Sequence, residues 1–153
     1  MPRIFESIEI NASRNRVWEI ISYLDSEPKF WWGTKSVRNL SREGNLISRE
    51  IYQNFGDHAI KQRIVVQPKS EIEITYLKGI TEGTKDLHLD SLSEDRQRLV
   101  VEWNVHFPGV YRVTSPLIAR HVRKGTKDAL RRIKDVSEGR PLEQRLEQSS
   151  KTG

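Results

Sequence analysis

The chain has 153 residues, a net charge of +5 and no cysteine. That length suffices for one domain with a continuous core, burying about two-thirds of its extended-chain surface, and the missing cysteine excludes a disulfide framework, a thiolate zinc site and a cysteine nucleophile. No run of about 18 apolar residues offers a membrane span, and MPRIFESIEI enters a strand pattern at once without a leader's basic and apolar regions, so a cytoplasmic protein is expected.

The first predicted element is a strand, with Ile8 and Ile10 alternating around Glu9. Glu6 shares the parity of Ile4, Ile8 and Ile10, which makes it either a buried carboxylate in need of a partner such as Arg49 or a residue near the strand's exposed end. The spacing then becomes helical, because Val17, Ile20, Ile21 and Leu24 fall at i, i+3, i+4 and i+7. Pro28 prevents simple extension of that helix, and Trp31 and Trp32 follow at a corner before Gly33. Of the two rings we assign the inward position to Trp32.

From Thr34 to Phe107 the turn signals EGN, FGD, QPKS, KGITEG and SEDRQ separate six strands in consecutive hairpins. Their alternation places Ile60, Gln62, Ile64 and Val66, then Ile72, Ile74 and Tyr76, then Leu87 and Leu89, then Leu99, Val101, Trp103, Val105 and Phe107 on one buried face. In the strand after EGN, the parity of Ile47, Ile51 and Phe55 is preferred, which sends Arg49 and Gln53 inward as well. Asp86, His88 and Asp90 face outward, as an ordinary solvated surface rather than a cation site.

After Pro108 and Gly109 a long helix is predicted from about Tyr111 to Ser137, and Gly139 is placed to stop it. Val113, Leu117, Ile118, Val122, Gly125, Ala129, Ile133 and Val136 trace its apolar stripe, and Arg120, Arg123, Lys124, Lys127, Arg131 and Lys134 cover the other side. Residues 112–153 hold 11 Lys and Arg against 5 Asp and Glu, net +6, which leaves the first 111 residues at net −1. Such a one-sided basic surface suits an anionic partner, RNA or a membrane surface, or is simply a solvated helix face. Residues 1–138 form the predicted domain, and 139–153 a polar tail with too few apolar groups to order itself.

Strand, broken helix pair, six antiparallel strands and a long C-terminal helix make an order that resembles the helix-grip fold. The segment IEINASRNRVWEIISYLDSEPKFWWGTKSVRNL, Ile8 to Leu40, is similar to the opening of the START-like, or Bet v 1-like (SRPBCC), superfamily of polyketide cyclases and coenzyme Q-binding proteins, and the final helix matches too. The resemblance spans about Arg3 to Ser137 and is specific for fold rather than function. It implies an α+β domain in which a seven-stranded antiparallel sheet curves around the C-terminal helix, with two short helices between strands one and two and an apolar cavity inside. Physics agrees, because one sheet must cover its buried face and the only long amphipathic element is that helix.

The candidate ligand-binding residues are Trp32, Tyr76, Trp103, Tyr111, His121 and Gly125. Tyr76 and Trp103 each offer an apolar body with one polar tip, suited to orient a ligand in a greasy pocket. Trp32 and Tyr111 stand where they can close its mouth, or simply pack. His121 lies at the edge of the helix stripe as a hydrogen-bond partner or general base, and Gly125 signals either close approach to the sheet or room for a ligand. No metal is expected, since His58, His88, His106 and His121 are scattered singly. No dinucleotide, P-loop or nucleophile-elbow motif is present and no cofactor is expected. The leading expectation is a protein that binds or carries a hydrophobic small molecule, lipid or isoprenoid-like. The alternatives are a polyketide cyclase or dehydratase-type enzyme using His121, Tyr76 or an inward acid, and an interaction module acting through the basic helix.

Overall fold

A computed structural model describes residues 3–53, 59–78, 82–106 and 115–143. Strand β1 (Arg3–Ile10) leads into α1 (Arg14–Ile21), a 3-10 turn (Leu24–Ser26) and the single-turn α2 (Glu27–Phe30). Six strands follow: β2 (Thr34–Glu43), β3 (Leu46–Gln53), β4 (Ile60–Gln67), β5 (Glu71–Lys78), β6 (Glu82–Ser93) and β7 (Arg96–His106). The chain closes on α3 (Ser115–Ser137). Every strand pairing is antiparallel, and the order β1-β7-β6-β5-β4-β3-β2 brings the first strand beside the last. With α3 lying along β1 and touching α1, α2 and β7, this is the helix-grip arrangement.

Local chemistry sets the corners. Ser13 caps α1 by accepting a hydrogen bond from the Arg16 backbone N–H at 3.2 Å, and Pro28 sits in the first turn of α2, where a missing N–H costs nothing. The inward parities of β3 to β7 are as expected: Ile47, Ile51, Ile60, Ile64, Ile72, Ile74, Leu87, Leu89, Leu99, Val101 and Val105 are all buried. Polar side chains lie among them, because Arg49, Gln62, Lys85 and Gln97 are buried in the same rows. Phe107 and Tyr111 lie outside the described residues.

Three readings of the sequence need correction. Glu6 meets Arg123 at 3.2 Å rather than Arg49, since β1 is packed beside α3 and β3 lies at the far side of the sheet. Leu117, assigned to the helix stripe, is 64% exposed. The residues just after α3 are not loose: Leu142 packs against the core, and Glu143 Oε1 accepts from Arg131 at 2.8 Å and Arg132 at 3.2 Å.

The helix grips unevenly. None of residues 116–125 is buried, whereas Thr126, Ala129, Leu130, Arg132, Ile133 and Ser137 all are. The second half of α3 is buried along its inner face, whereas in the first half Ile118, Ala119 and Val122 pack against the core only partly buried, and a wedge of space remains beneath that half.

Two glycines respond oppositely to this geometry. Gly83 pairs with Tyr76 on one side and Val105 on the other at φ +130°, and an added Cβ would strike the Asn104 carbonyl oxygen and come within 2.8 Å of Val105 Cα. Gly125 has nothing within 4 Å of an added Cβ. Close backbone approach therefore does not explain Gly125, and space does. Chemical denaturation should show Gly83→Ala losing at least about 2 kcal/mol and Gly125→Ala gaining about 0.5–1 kcal/mol.

Candidate functional site

The wedge under the first half of α3 is a cleft of about 350 Å³. Trp32, Tyr76, Trp103, His121 and Gly125 all border it, so five of the six sequence candidates are brought together; Tyr111 lies outside the described residues. Aromatic walls define its shape. Tyr76 stacks on Trp103 with centroids 5.9 Å apart and planes 20° apart, and Trp31 meets Trp103 edge-on at 6.2 Å. Trp103 Nε1 donates to Thr126 Oγ1 at 2.9 Å, and that hydroxyl donates to the Val122 carbonyl at 2.7 Å, which fixes the indole against α3.

The tryptophan pair is the reverse of the expected one. Trp31 packs against the core cluster, while Trp32 lies beneath the Arg132 guanidinium, 3.5 Å from its carbon to the ring centroid. The Trp32 Nε1 donates to the Lys29 carbonyl at 3.1 Å, and Arg132 donates to the Phe30 carbonyl at 2.9 Å. The short α2 turn rotates successive side chains apart, so one ring faces the sheet and its neighbour borders the mouth.

Below the aromatic slot is a buried charged floor. Arg49, 0% exposed, forms an ion pair with Glu27, 8% exposed. Arg49 also donates to Gln62 Oε1 at 2.7 Å and the Leu24 carbonyl at 3.1 Å, and Thr34 Oγ1 donates to Glu27 Oε2 at 2.6 Å. Lys85 is the third charge, its Nζ 3.2 Å from the Trp31 centroid and 4.8 Å from that of Trp103. Lys85 and Trp31 border both the cleft and a second pocket of about 30 Å³, and so form the partition between them. Gln53 Oε1, also at the cleft, is a buried acceptor without a hydrogen-bond partner among the described residues.

Electrostatics sorts these groups. Burial acts to raise the Glu27 carboxyl, but the charges of Lys85 and Arg49 and hydrogen bonds from Thr34 and Arg49 outweigh it and hold it below its ordinary value. Burial pulls the Lys85 ammonium from 10.5 down to about 8, with Glu27 opposing the fall and Arg49 adding to it. Burial, then the charge of Glu27, pushes the Tyr76 phenol up, so it stays neutral.

Arg49 and Gln62 were legible as inward residues from strand parity. Lys85 shares the parity of Leu87 and Leu89 and was within reach of the same reading, but a lysine at a strand's start reads as solvated. Glu27 carried no signal, since its burial follows from the α2 corner folding onto β3.

The basic helix face is largely compensated. Arg123 pairs with Glu6, Lys124 and Arg131 with Asp128, and Lys134 with Glu138. On the opposite face of the sheet Asp86 groups with Glu71 and Glu73 rather than with His88 and Asp90, and burial together with Glu71 raises its carboxyl to about 7. Among the described residues no helix is long and apolar enough to cross a membrane.

The family model described as polyketide cyclase / dehydrase and lipid transport matches residues 10–134. No curated protein matches the sequence. Among solved structures, the Zhui aromatase/cyclase from Streptomyces sp. R1128 is similar at a TM-score of 0.75 and 14% identity, over 90% of this chain and 93% of that one. The di-domain ARO/CYC BexL from the BE-7585A biosynthetic pathway is similar at 0.72 and 13% identity over 92% of this chain, which spans 51% of BexL. XoxI from Bacillus cereus is similar at 0.69 and 15% identity, over 89% of this chain and 95% of that one. At such identities the likeness is one of fold.

The floor makes two stability predictions. Glu27→Gln leaves the Arg49 charge buried without a counter-ion and should cost about 3–5 kcal/mol in urea unfolding at pH 7. Lys85→Met should stabilise the fold at pH 7 by on the order of 2 kcal/mol, because it removes an ammonium whose burial is unfavourable. Between pH 8 and 10.5 the unfolded wild-type chain holds a proton that folded Lys85 has released, so wild-type stability should rise through that window relative to Lys85→Met. A constant difference between the two proteins across that range would show that Lys85 is not titrating as described.

Proposed function

The chain belongs to the polyketide cyclase / dehydrase and lipid transport family, and within it we propose that the cleft beneath α3 binds one hydrophobic small molecule. The fold is a hydrophobic ligand-binding fold of the SRPBCC type. The observation that carries the reading is the cleft itself: about 350 Å³ of space remains between sheet and helix, although four tryptophans and four phenylalanines were available to fill it. That volume falls within the range of small-molecule sites, roughly 300–1,000 Å³.

Binding would come from apolar burial, about 25 cal/mol per Å² removed from water, less the entropy lost on association. The near-parallel Tyr76 and Trp103 rings and the edge of Trp31 favour a flat, unsaturated body over a saturated chain, by about 0.5–1.5 kcal/mol per aromatic contact.

A second reading, a cyclase or dehydratase-type enzyme, draws on Lys85. Its ammonium, lowered to about 8, titrates near working pH, as an acid–base group acting on an enolisable ketone must. His121 borders the same cleft. Turnover of a poly-β-ketone that survives both Lys85→Met and His121→Ala would remove these two residues from any such chemistry.

Gly125→Phe separates a ligand site from an empty gap. The added ring enters the open space beside Gly125, so binding of a naphthalene-type fluorescent ligand should fall at least tenfold while the melting temperature stays within a few degrees. Native mass spectrometry of the wild type should show one apolar molecule per chain, released on denaturation. Unchanged dye affinity in Gly125→Phe would place the binding elsewhere.

A further inference from the structure

Of the lysines and arginines around the cleft, Lys85 is the one without a carboxylate contact among the described residues, and that identifies what the ligand must carry. Arg49 is paired with Glu27, Lys124 with Asp128 and Arg132 with Glu143, Arg131 sharing the last two carboxylates. The Lys85 side chain makes no hydrogen bond and no ion pair of its own among the described residues, though the residue is only 2% exposed. Its ring contacts are two indole faces, those of Trp31 and Trp103. These attract the cation through their quadrupoles but offer no lone pair to its three N–H donors. A buried ammonium in that state is costly, since a desolvated charge is normally both paired and hydrogen-bonded. Glu27 does not discharge the debt, because one carboxylate faces two cations, Arg49 holding it directly and Lys85 acting only through space.

Resting on the reading of the cleft as a ligand site, we propose that this protein selects an apolar molecule bearing a single anionic oxygen, and that Lys85 Nζ is the group that holds it. A carboxylate, enolate or phenolate seated over the partition would accept from Lys85 and neutralise the floor, while the ligand's body lies against Trp31, Tyr76 and Trp103. The ammonium keeps its proton for the most part at pH 7, so it meets such an oxygen as a charged donor. Arg132 and Lys124 border the same cleft, but each already has a carboxylate partner. The selectivity therefore follows Lys85 and not general positive charge at the mouth.

The test compares 2-naphthoate with 2-naphthamide by isothermal titration calorimetry at pH 7, and repeats the comparison with dodecanoate and dodecanamide for a chain-shaped body. In the wild type the acid of at least one pair should bind at least tenfold tighter than its neutral amide. In Lys85→Met and Lys85→Gln, with folding verified by circular dichroism, the acid should lose its preference and bind within about threefold of the amide measured on the same variant. Equal binding of acid and amide by the wild type overturns the proposal and leaves the cleft reading standing. Retention of the preference in both variants assigns the anion to another cation and also overturns it. Failure of all four probes to bind removes the cleft reading and the proposal together.

Discussion

The buried Arg49–Glu27 pair is the constraint on which the rest of the site depends. Glu27 belongs to the corner between α1 and β2, and Arg49 to the inner face of β3, so the pair fastens that corner to the sheet. Trp31 and Trp32 ride on that corner. Their separation, one ring toward the core and one under Arg132, is fixed by where α2 is held. A buried pair of this kind contributes little net stability compared with apolar side chains of the same size, and losing one partner is what is expensive. Its effect is positional: it specifies one placement of a four-residue helix that could not specify its own.

The opposite wall is built on a different principle. The C-terminal half of α3 buries Ala129, Leu130 and Ile133, while in the N-terminal half Ile118, Ala119 and Val122 pack only partly buried, and the Trp103–Thr126 hydrogen bond stands at the point where full burial begins. An amphipathic helix docked along its whole length would have closed the wedge. The polar substitution at Thr126 and the absent side chain at Gly125 fall at the hinge of the wedge, where the fully buried stretch of α3 gives way to the partly buried one. Fold and cleft are thus one construction, because the sheet needs a cover and the cover reaches only part of it.

Much of this was legible in the sequence, for a specific physical reason. Period-two alternation fixes which face a strand residue occupies even when the residue is charged, so Arg49 was placed inward by its Ile47 and Ile51 neighbours and Gln62 by Ile60 and Ile64. Helical and turn positions carry no such fixed parity. Trp32 was preferred to Trp31 because α2 is a single turn whose rotation depends on the distant Arg49, and Leu117 was placed in the stripe because periodicity cannot show where a helix leaves its sheet. Gly125 was read with two meanings, and only the space around it decides between them. Glu27 was missed because nothing local distinguishes a carboxylate before a proline that will be buried from one that will be solvated.

Two costly arrangements of charge remain, and they differ in how they are relieved. On the outer face, Asp86, Glu71 and Glu73 repel one another, but the group is reachable by water and Asp86 retains a proton to about pH 7, which removes the excess charge without any other molecule. At the partition, Lys85 has no comparable route. It becomes neutral only above about pH 8, and its ring contacts are indole faces that accept no hydrogen bond from it. Methionine at that position would pack the same space at lower cost, so stability alone does not account for a lysine between Trp31 and Trp103. An acceptor arriving from the cleft, as proposed for the ligand, would relieve it.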